Sequence, residues 1–351
     1  MLNHATSSPG QLTIGLLQTC EHARWDAFVD ACPAATFFHR AGWQTVIERA
    51  FGHKTWFMYA EQDGQLRAIL PMAQIKSVLF GHSLSCLPFC VYGGIAATDA
   101  HAALALDLAA QRLAAKLRVD HLEYRHVTAC HPEWPSKALY VTFQKALQPD
   151  PEQNMLEIPR KQRAMVRKGI SAGLHSEIDQ DVERFFGAYS ASVHKLGTPV
   201  FSKKYFRILK QVFGDECELM TICLGQKTIC SVLSFYFRDQ VLPYYGGGGS
   251  AARTLAGNDF MYWELMRRAC QDGYAVFDFG RSKIGTGAFD FKKNWGFTPT
   301  PLHYEYQLHR ASAVPDHNPL NPRYQWLIKG WQKLPLSLAN LLGPHIVRNL
   351  G

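Results

Sequence analysis

The stretch CELMTICLGQKTICSVLSFYFRDQVLPYYGGGG, residues 217–249, decides how the chain is read. Two apolar, β-prone runs flank Gly225-Gln226, and a third comes after a second short turn. Glycine beside a polar residue between such runs is the signal of a tight hairpin. The segment therefore reads as three strands that end in four glycines. Residues 55–75, TWFMYAEQDGQLRAILPMAQI, show the same device with its turn at Asp63-Gly64.

The segments downstream of the two hairpins also match. Tyr92-Gly93-Gly94 leads into a helix-like run, Ala102 to Leu117, and then the strand DHLEYRH; Tyr245-Gly246-Gly247 leads into Asn258 to Gln271 and then AVFDFGR. Tyr92 to Arg125 spans 33 residues and Tyr245 to Arg281 spans 36. A strand, a glycine turn, a helix and a strand with an arginine at its exit, found twice, imply two related α/β domains. Prolines and polar residues in LQPDPEQNMLEIP break the periodicity and suggest a linker or crossover strand. The expected domains are 1–150 and 151–310, with a helical tail, 311–351, that begins in the Pro/Asn-rich HNPLNPRYQW.

Composition bounds the function. The 351 residues carry 37 basic against 29 acidic side chains, a net +8, which favours anionic partners. The nine cysteines form no C-x-x-C pair and no zinc-ligand spacing, so they are expected as buried thiols, with no metal site. The N-terminal MLNHATSSPGQ lacks the charged and apolar parts of a leader, and no apolar run reaches the roughly 18 residues of a membrane span. A cytoplasmic protein is expected. There is no Walker loop, no paired catalytic carboxylates and no Ser/His/Asp arrangement.

Four stretches carry candidate chemistry. In PRKQRAMVRKG, residues 159–169, Arg160, Lys161, Arg163, Arg167 and Lys168 fall on an arc of about 160° at helical spacing, a cationic face fit for phosphate. In HKLGTPVFSKKYF, 194–206, Gly197, Pro199 and Ser202 make an elbow between helices, with Lys203, Lys204 and Tyr205 beyond it. YYGGGGSAARTLAGNDF, 244–260, is a low-bulk wall leading to a helix N-terminus that holds Asn258 and Asp259. FDFGRSKIGTGAFDFKKNWGF, 277–297, reads as strand, turn and strand; extended, it would set Phe289, Phe291 and Trp295 on one face and Lys292 on the other.

In this order, IPRKQRAMVRKG, FFGAYSASVHKLGTP, YYGGGG, FMYWELMRRA and FDFKKNWGF, the chain resembles the FemAB-like (FemABX) family of aminoacyl-tRNA-dependent peptidyltransferases. LPFCVYGG, LGTPVFSKKYF and FDFGRSKIGTGAFDFKKNWGF resemble the branch of FemAB-related proteins associated with PEP-CTERM (exosortase) systems. The resemblance spans about residues 30–310. It implies two tandem domains of the GNAT (acyl-CoA N-acyltransferase) fold, α/β with mixed central sheets. It also implies aminoacyl-tRNA as donor and a nucleotide- or lipid-linked precursor of the cell wall, peptidoglycan, or of an exopolysaccharide as acceptor, with no cofactor. A Phe-Lys pair of the family's transfer site matches Phe291 and Lys292. Asp259, Asp290 and His194 are each candidate acceptors of the amine's proton, and their spacing selects none of them. Substrate contacts are expected from Arg163, Arg167, Lys203, Tyr205, Tyr245, Gly247, Asn258, Arg281 and Lys283. The family's helical-hairpin arm is absent here.

The place where a GNAT enzyme holds the pyrophosphate of its CoA, Arg/Gln-x-x-Gly-x-Gly/Ala, reads GGGGSAARTLAGND instead. That favours a bulkier donor. Lys292 is the expected stabiliser of a tetrahedral oxyanion. Two further readings stand beside this one: N-acyl transfer from acyl-CoA, and a noncatalytic module that binds a precursor or scaffolds an export system. In the tail, Trp326, Leu327, Trp331 and Leu334 lie near one helical face beside Lys329 and Lys333, an arrangement suited either to packing against the second domain or to a membrane interface.

Overall fold

Both hairpins form at the turns the sequence marks. Asp63 and Gly64 each take a positive φ, 51° and 76°, the mirror-image turn whose twist matches the flanking strands. The computed structural model describes residues 10–77, 80–315 and 322–350. The first nine residues of the N-terminal segment and 316–321 at the start of the tail lie outside that description.

The first unit holds β1 (Thr13–Leu16), α1 (His22–Ala31), α2 (Gly42–Phe51), β2 (Lys54–Gln62), β3 (Gln65–Ser77), β4 (Gly81–Cys86), the two-residue β5 (Ala96–Ala97), α3 (Ala100–Leu117), β6 (His121–His126) and the short β7 (Ser136–Lys137). The chain then leaves it and returns only for β16 (His303–Leu308). Its sheet runs β1-β2-β3-β4-β6-β16-β7, antiparallel except where β4 meets β6. α3 crosses between those parallel strands, with Asp99 capping its first turn by accepting from Ala102 N.

The second unit begins with β8 (Tyr140–Ala146) and continues through α4 (Pro151–Glu157), α5 (Arg160–Ser171), β9 (His175–Asp179), α6 (Glu183–Lys195), α7 (Lys203–Phe213), β10 (Cys217–Leu224), β11 (Lys227–Phe237) and β12 (Gln240–Gly248). Then come α8 (Ser250–Thr254), α9 (Gly257–Gln271), β13 (Val276–Asp278), β14 (Ser282–Lys283), α10 (Gly287–Asn294) and β15 (Pro299–Pro301), and finally α11 (Pro322–Lys333) and α12 (Leu336–Val347). The sheet order β14-β8-β13-β12-β11-β10-β9 repeats the first unit's plan, with α9 crossing between parallel β12 and β13.

The units therefore exchange strands in sequence. β8 comes after the first unit in the chain but pairs antiparallel with β13, and β16 comes after the second but pairs with β6. This moves the boundary from the expected 150 to Ala138/Leu139, and it sends His303–Pro315 back to the first unit. The expected linker is a helix, α4, with Asp150 as N-cap and Pro151 in its first turn. Residues 289–294 are helical and not the expected strand. Thr286 caps α10 by accepting from Phe289 N, Asp290 sits in the first turn, and Lys292 and Lys293 sit in the last, each where the helix dipole favours it.

The core of the second unit packs α9 and α5 against the sheet through Phe260, Trp263, Leu265, Val166, Phe277, Phe279 and Trp295. Two glycines of β12 are required by close packing against α6 and α8. A Cβ on Gly247 would stand 2.8 Å from both Ser192 Cβ and Tyr189 Cα of α6, and one on Gly248 would stand 2.6 Å from Ala252 Cβ. Gly247→Ala is expected to cost about 1–3 kcal/mol, the range for overpacking a close contact. Urea unfolding should show a lowered midpoint, while the same change at exposed Gly249, where a Cβ meets nothing within 4 Å, should leave it in place.

Candidate active site

β12 and β13 pair only at Gln240↔Val276 and Val241↔Phe277. Beyond that point β12 runs on to Gly248 while β13 ends at Asp278, so the two strands part. Among the described residues, the edge of β12 that faces the opening has no strand beside it, and such a strand edge is where a ligand in extended conformation docks.

Beside this opening lies a cavity of about 190 Å³. Gly246 and Gly247 of β12 form one wall, α6 contributes Ser192, α9 contributes Asn258, Met261 and Tyr262, and α10 contributes Ala288, Phe291 and Lys292. The volume is below the roughly 300–1,000 Å³ that encloses a drug-sized ligand. It suits the reacting end of a substrate, with the remainder of that substrate outside.

Lys292 is the cationic residue of the cavity wall. Its ammonium end turns inward and donates to the carbonyl oxygens of Phe279 at 2.6 Å, Gly280 at 3.0 Å and Arg281 at 3.0 Å. Burial pulls its pKa down to about 7, with Asp278 working against the fall and Arg281 with it. Phe143 and Phe279 present their rings to Nζ at 5.6 and 5.7 Å. Three carbonyls consume the three N–H bonds of the protonated form, so Lys292 organises the turn after β13 as well as charging the cavity. To bond an oxyanion directly, Nζ must exchange one of these partners; its charge acts without exchange.

Tyr262 escapes the sequence reading, and it is the cavity's other proton-bearing side chain of note. Its ring packs on Phe279 at 4.7 Å and Phe291 at 5.6 Å, and burial pushes its phenol up, so it stays protonated. Ser192 and Met261 are equally unmarked in the sequence, because each sits on a helix face that periodicity assigns to packing.

The sequence candidates separate into groups. Gly247, Asn258, Phe291 and Lys292 come together in the cavity wall. Asp259 is a neighbour in sequence but accepts from Trp295 Nε1 at 3.0 Å in the core; burial raises its pKa, and it is not among the wall residues. Tyr205 and Tyr245 meet through their hydroxyls at 3.0 Å inside an aromatic cluster with Phe201 and Phe206. Lys203 pairs with Glu183 at 2.6 Å. Arg281 and Lys283 lie over the ring of Tyr140 at 4.6 and 5.6 Å. Arg163 donates to the carbonyls of Leu156 and Ile158 at the end of α4, and it also lines a separate open groove of about 440 Å³ with Arg160 and Arg167.

The corresponding opening in the first unit is filled by protein. LPFCVYGG, residues 87–94, folds into it: Gly93 N donates to Arg125 O at 2.9 Å, and Arg125 Nη1 donates to the carbonyls of Leu87 and Cys90. Glu123 accepts from Arg125 Nε at 2.8 Å; burial opposes its ionisation, and Arg125 outweighs burial and holds the carboxyl below its usual range. Tyr304 closes the wedge by donating to Val91 O at 2.8 Å.

Residues 158–293 match the acetyltransferase (GNAT) domain family. The second unit carries a GNAT acyltransferase domain. The tandem arrangement has solved parallels. FemX aligns over 90% of this chain and 100% of its own with a TM-score of 0.65 at 13% identity. A tandem GNAT protein from the clavulanic acid biosynthesis pathway aligns over 87% and 100% with a TM-score of 0.53 at 10% identity. The C-terminal domain of a putative lysylphosphatidylglycerol synthetase from Agrobacterium fabrum aligns over 82% and 91% with a TM-score of 0.55 at 12% identity. At these identities the likeness is one of fold: two GNAT-like units in tandem. No curated protein matches the chain by sequence.

The depressed pKa of Lys292 has a signed consequence for stability. The unfolded chain holds this proton up to about 10.5 and the folded one only to about 7, so the unfolded state binds more protons between those values. Stability therefore rises with pH from 7 to 10 by up to about 1.4 kcal/mol per unit from this residue. Urea unfolding of Lys292→Met beside the parent at pH 7 and pH 9.5 should show the difference between them growing in the parent's favour at the higher pH.

Proposed function

We propose that the chain is an aminoacyltransferase that forms an amide on an envelope or exopolysaccharide precursor, drawing its acyl group from aminoacyl-tRNA. The observation that carries this reading is the cavity at the parting of β12 and β13, with Lys292 buried in its wall and Phe291 beside it. The resemblance to the FemAB-like family matches its transfer-site pair to these two residues, and FemX and the lysylphosphatidylglycerol synthetase domain share the fold.

The reaction needs little from the protein beyond position and charge. The acceptor's neutral amine attacks the ester carbonyl carbon, and the carbonyl oxygen gains negative charge as the C–N bond forms. The ester C–O bond then breaks; the amine nitrogen gives up one proton and the departing ribose oxygen takes one. Lys292 stabilises the oxyanion by its charge. An amine with pKa near 7 is also able to pass a proton at neutral pH. Removing one such donor typically costs about 10²–10³ in rate, so Lys292→Ala should lower transfer by at least about that factor.

The donor's phosphates have a cationic landing place in the groove of Arg160, Arg163 and Arg167 on α5, whose Gly169 packs against Phe260 of α9. Binding of aminoacyl-tRNA should weaken with salt, and Arg160→Ala with Arg167→Ala should make that dependence shallower by roughly two phosphates' worth of the slope. The acceptor is the nucleotide- or lipid-linked precursor that the resemblance implies, with the PEP-CTERM branch favouring an exopolysaccharide. A lipid-linked acceptor would bring the protein to the inner face of the membrane.

Acetyl transfer from acyl-CoA is the second reading, favoured by the acetyltransferase family match. Purified protein offered labelled aminoacyl-tRNAs and labelled acetyl-CoA, each with an envelope extract, separates the two. Label should move from tRNA and not from CoA, and not with Lys292→Ala. Movement from CoA alone overturns the donor assignment; transfer by the parent that survives Lys292→Ala overturns the role of the residue; movement from neither leaves the noncatalytic reading in place.

A further inference from the structure

α11 and α12 are two-faced. The inner face is fixed to α6 and the elbow after it. Ile328 sits against Gly197, where a Cβ would come within 2.3 Å of its Cγ2; His194 Nε2 lies 3.1 Å from Trp331 O; and Gln332 Nε2 donates to Lys195 O at 2.8 Å. α12 buries Ala339, Gly343 and Val347, with Gly343 against Val200.

Among the described residues, the outer face is rich in exposed apolar side chains. Trp326 is 69% exposed, Leu341 64%, and Leu196, at the adjoining end of α6, 70%; Leu327, Leu338 and Leu342 are exposed as well. On α12 Leu338, Leu341 and Leu342 fall within an arc of about 100°, opposite the buried Ala339, Gly343 and Val347. Single exposed leucines need no explanation, but a run of them on one side of two adjacent helices does.

Charge selects the occupant. Residues 322–350 contain Arg323, Lys329, Lys333 and Arg348 and no aspartate or glutamate. Lys329 and Lys333 come three and seven positions after Trp326, on its side of α11, which places indole and ammonium together as they lie at a bilayer interface. A second copy docked face to face would set these like charges against each other. An anionic lipid surface answers both the apolar area and the charge.

We propose that the outer face of α11 and α12, with Leu196, is a docking surface for an anionic lipid bilayer. The helices lie in the interface: among the described residues none is long and apolar enough to cross. The docking bears on the active site through α6, which holds α11 by His194 and lines the cavity with Ser192. Docking through this surface brings the second unit to the membrane, which deepens the acyl-transfer reading and rests on it for the lipid-linked acceptor.

The test needs neither donor nor acceptor, so its failure and the failure of the transfer assay are separate events. The full chain is sedimented with vesicles of phosphatidylcholine alone and with about one quarter phosphatidylglycerol. Binding to the anionic vesicles is expected, weakened at least tenfold by Leu341→Glu with Leu342→Glu, and weakened on anionic vesicles only by Lys329→Gln with Lys333→Gln. Trp326→Ser, a milder change, should weaken binding severalfold, and thermal unfolding of all variants should stay within a few degrees of the parent. No binding by the parent, equal binding by the variants, or a dimer in light scattering that the Leu341/Leu342 change dissolves would each overturn the proposal.

Discussion

Two parallel strands that cannot stay together set the terms for the second unit. β12 and β13 share two residue pairs and then part, which among the described residues leaves β12 with no strand beside this part of its edge in the middle of a sheet. Buried backbone groups must find partners, so the opening is either filled by protein or kept for a ligand. The second unit keeps it and braces its rim. The brace is the Lys292 ammonium, which gathers the carbonyls of residues 279–281 and so holds the end of β13, the turn and α10 in one arrangement.

The first unit meets the same constraint and resolves it differently. Its β4 and β6 part after three residue pairs, and LPFCVYGG turns into the space with Leu87 and Phe89 at positive φ. Such backbone is unfavourable for residues that carry a Cβ, and the Arg125 guanidinium offsets it by bonding two of the loop's carbonyls. The repeated arginine at the strand exit thus has two fates: Arg125 is a buried wedge beside Glu123, whereas Arg281 lies over Tyr140 and lends its carbonyl to Lys292. One plan, used twice, is plugged in the first unit and open beside Lys292 in the second.

Much of this is legible in the chain itself. The hairpin turns, the glycine connections and the crossover helices are products of local rules, and they stand where those rules put them. Gly247, Asn258, Phe291 and Lys292, candidates by sequence, do share one cavity wall. The misses have physical causes. FDFKKN alternates like a strand, and the helix it forms is signalled only by Thr286, Asp290 and the two lysines, cues of capping and dipole that carry about a kcal/mol each. Asp259 and Tyr205 look chemical in the sequence, yet Trp295 Nε1 and the Tyr245 hydroxyl satisfy them in the core.

Local rules along the chain account for the inventory: two α/β units built on one plan, their turns, their amphipathic faces and a short list of polar residues near glycine. These arise from interactions between residues close in the chain, which act in any context. Long-range packing is what sets β8 and β16 in their sheets, turns Lys292 inward on three carbonyls, brings Tyr262 beside it, and plugs one opening while the other remains. Those outcomes depend on contacts between segments far apart in the chain, where many pairings are locally equivalent. Burial of the whole unit alone selects among them.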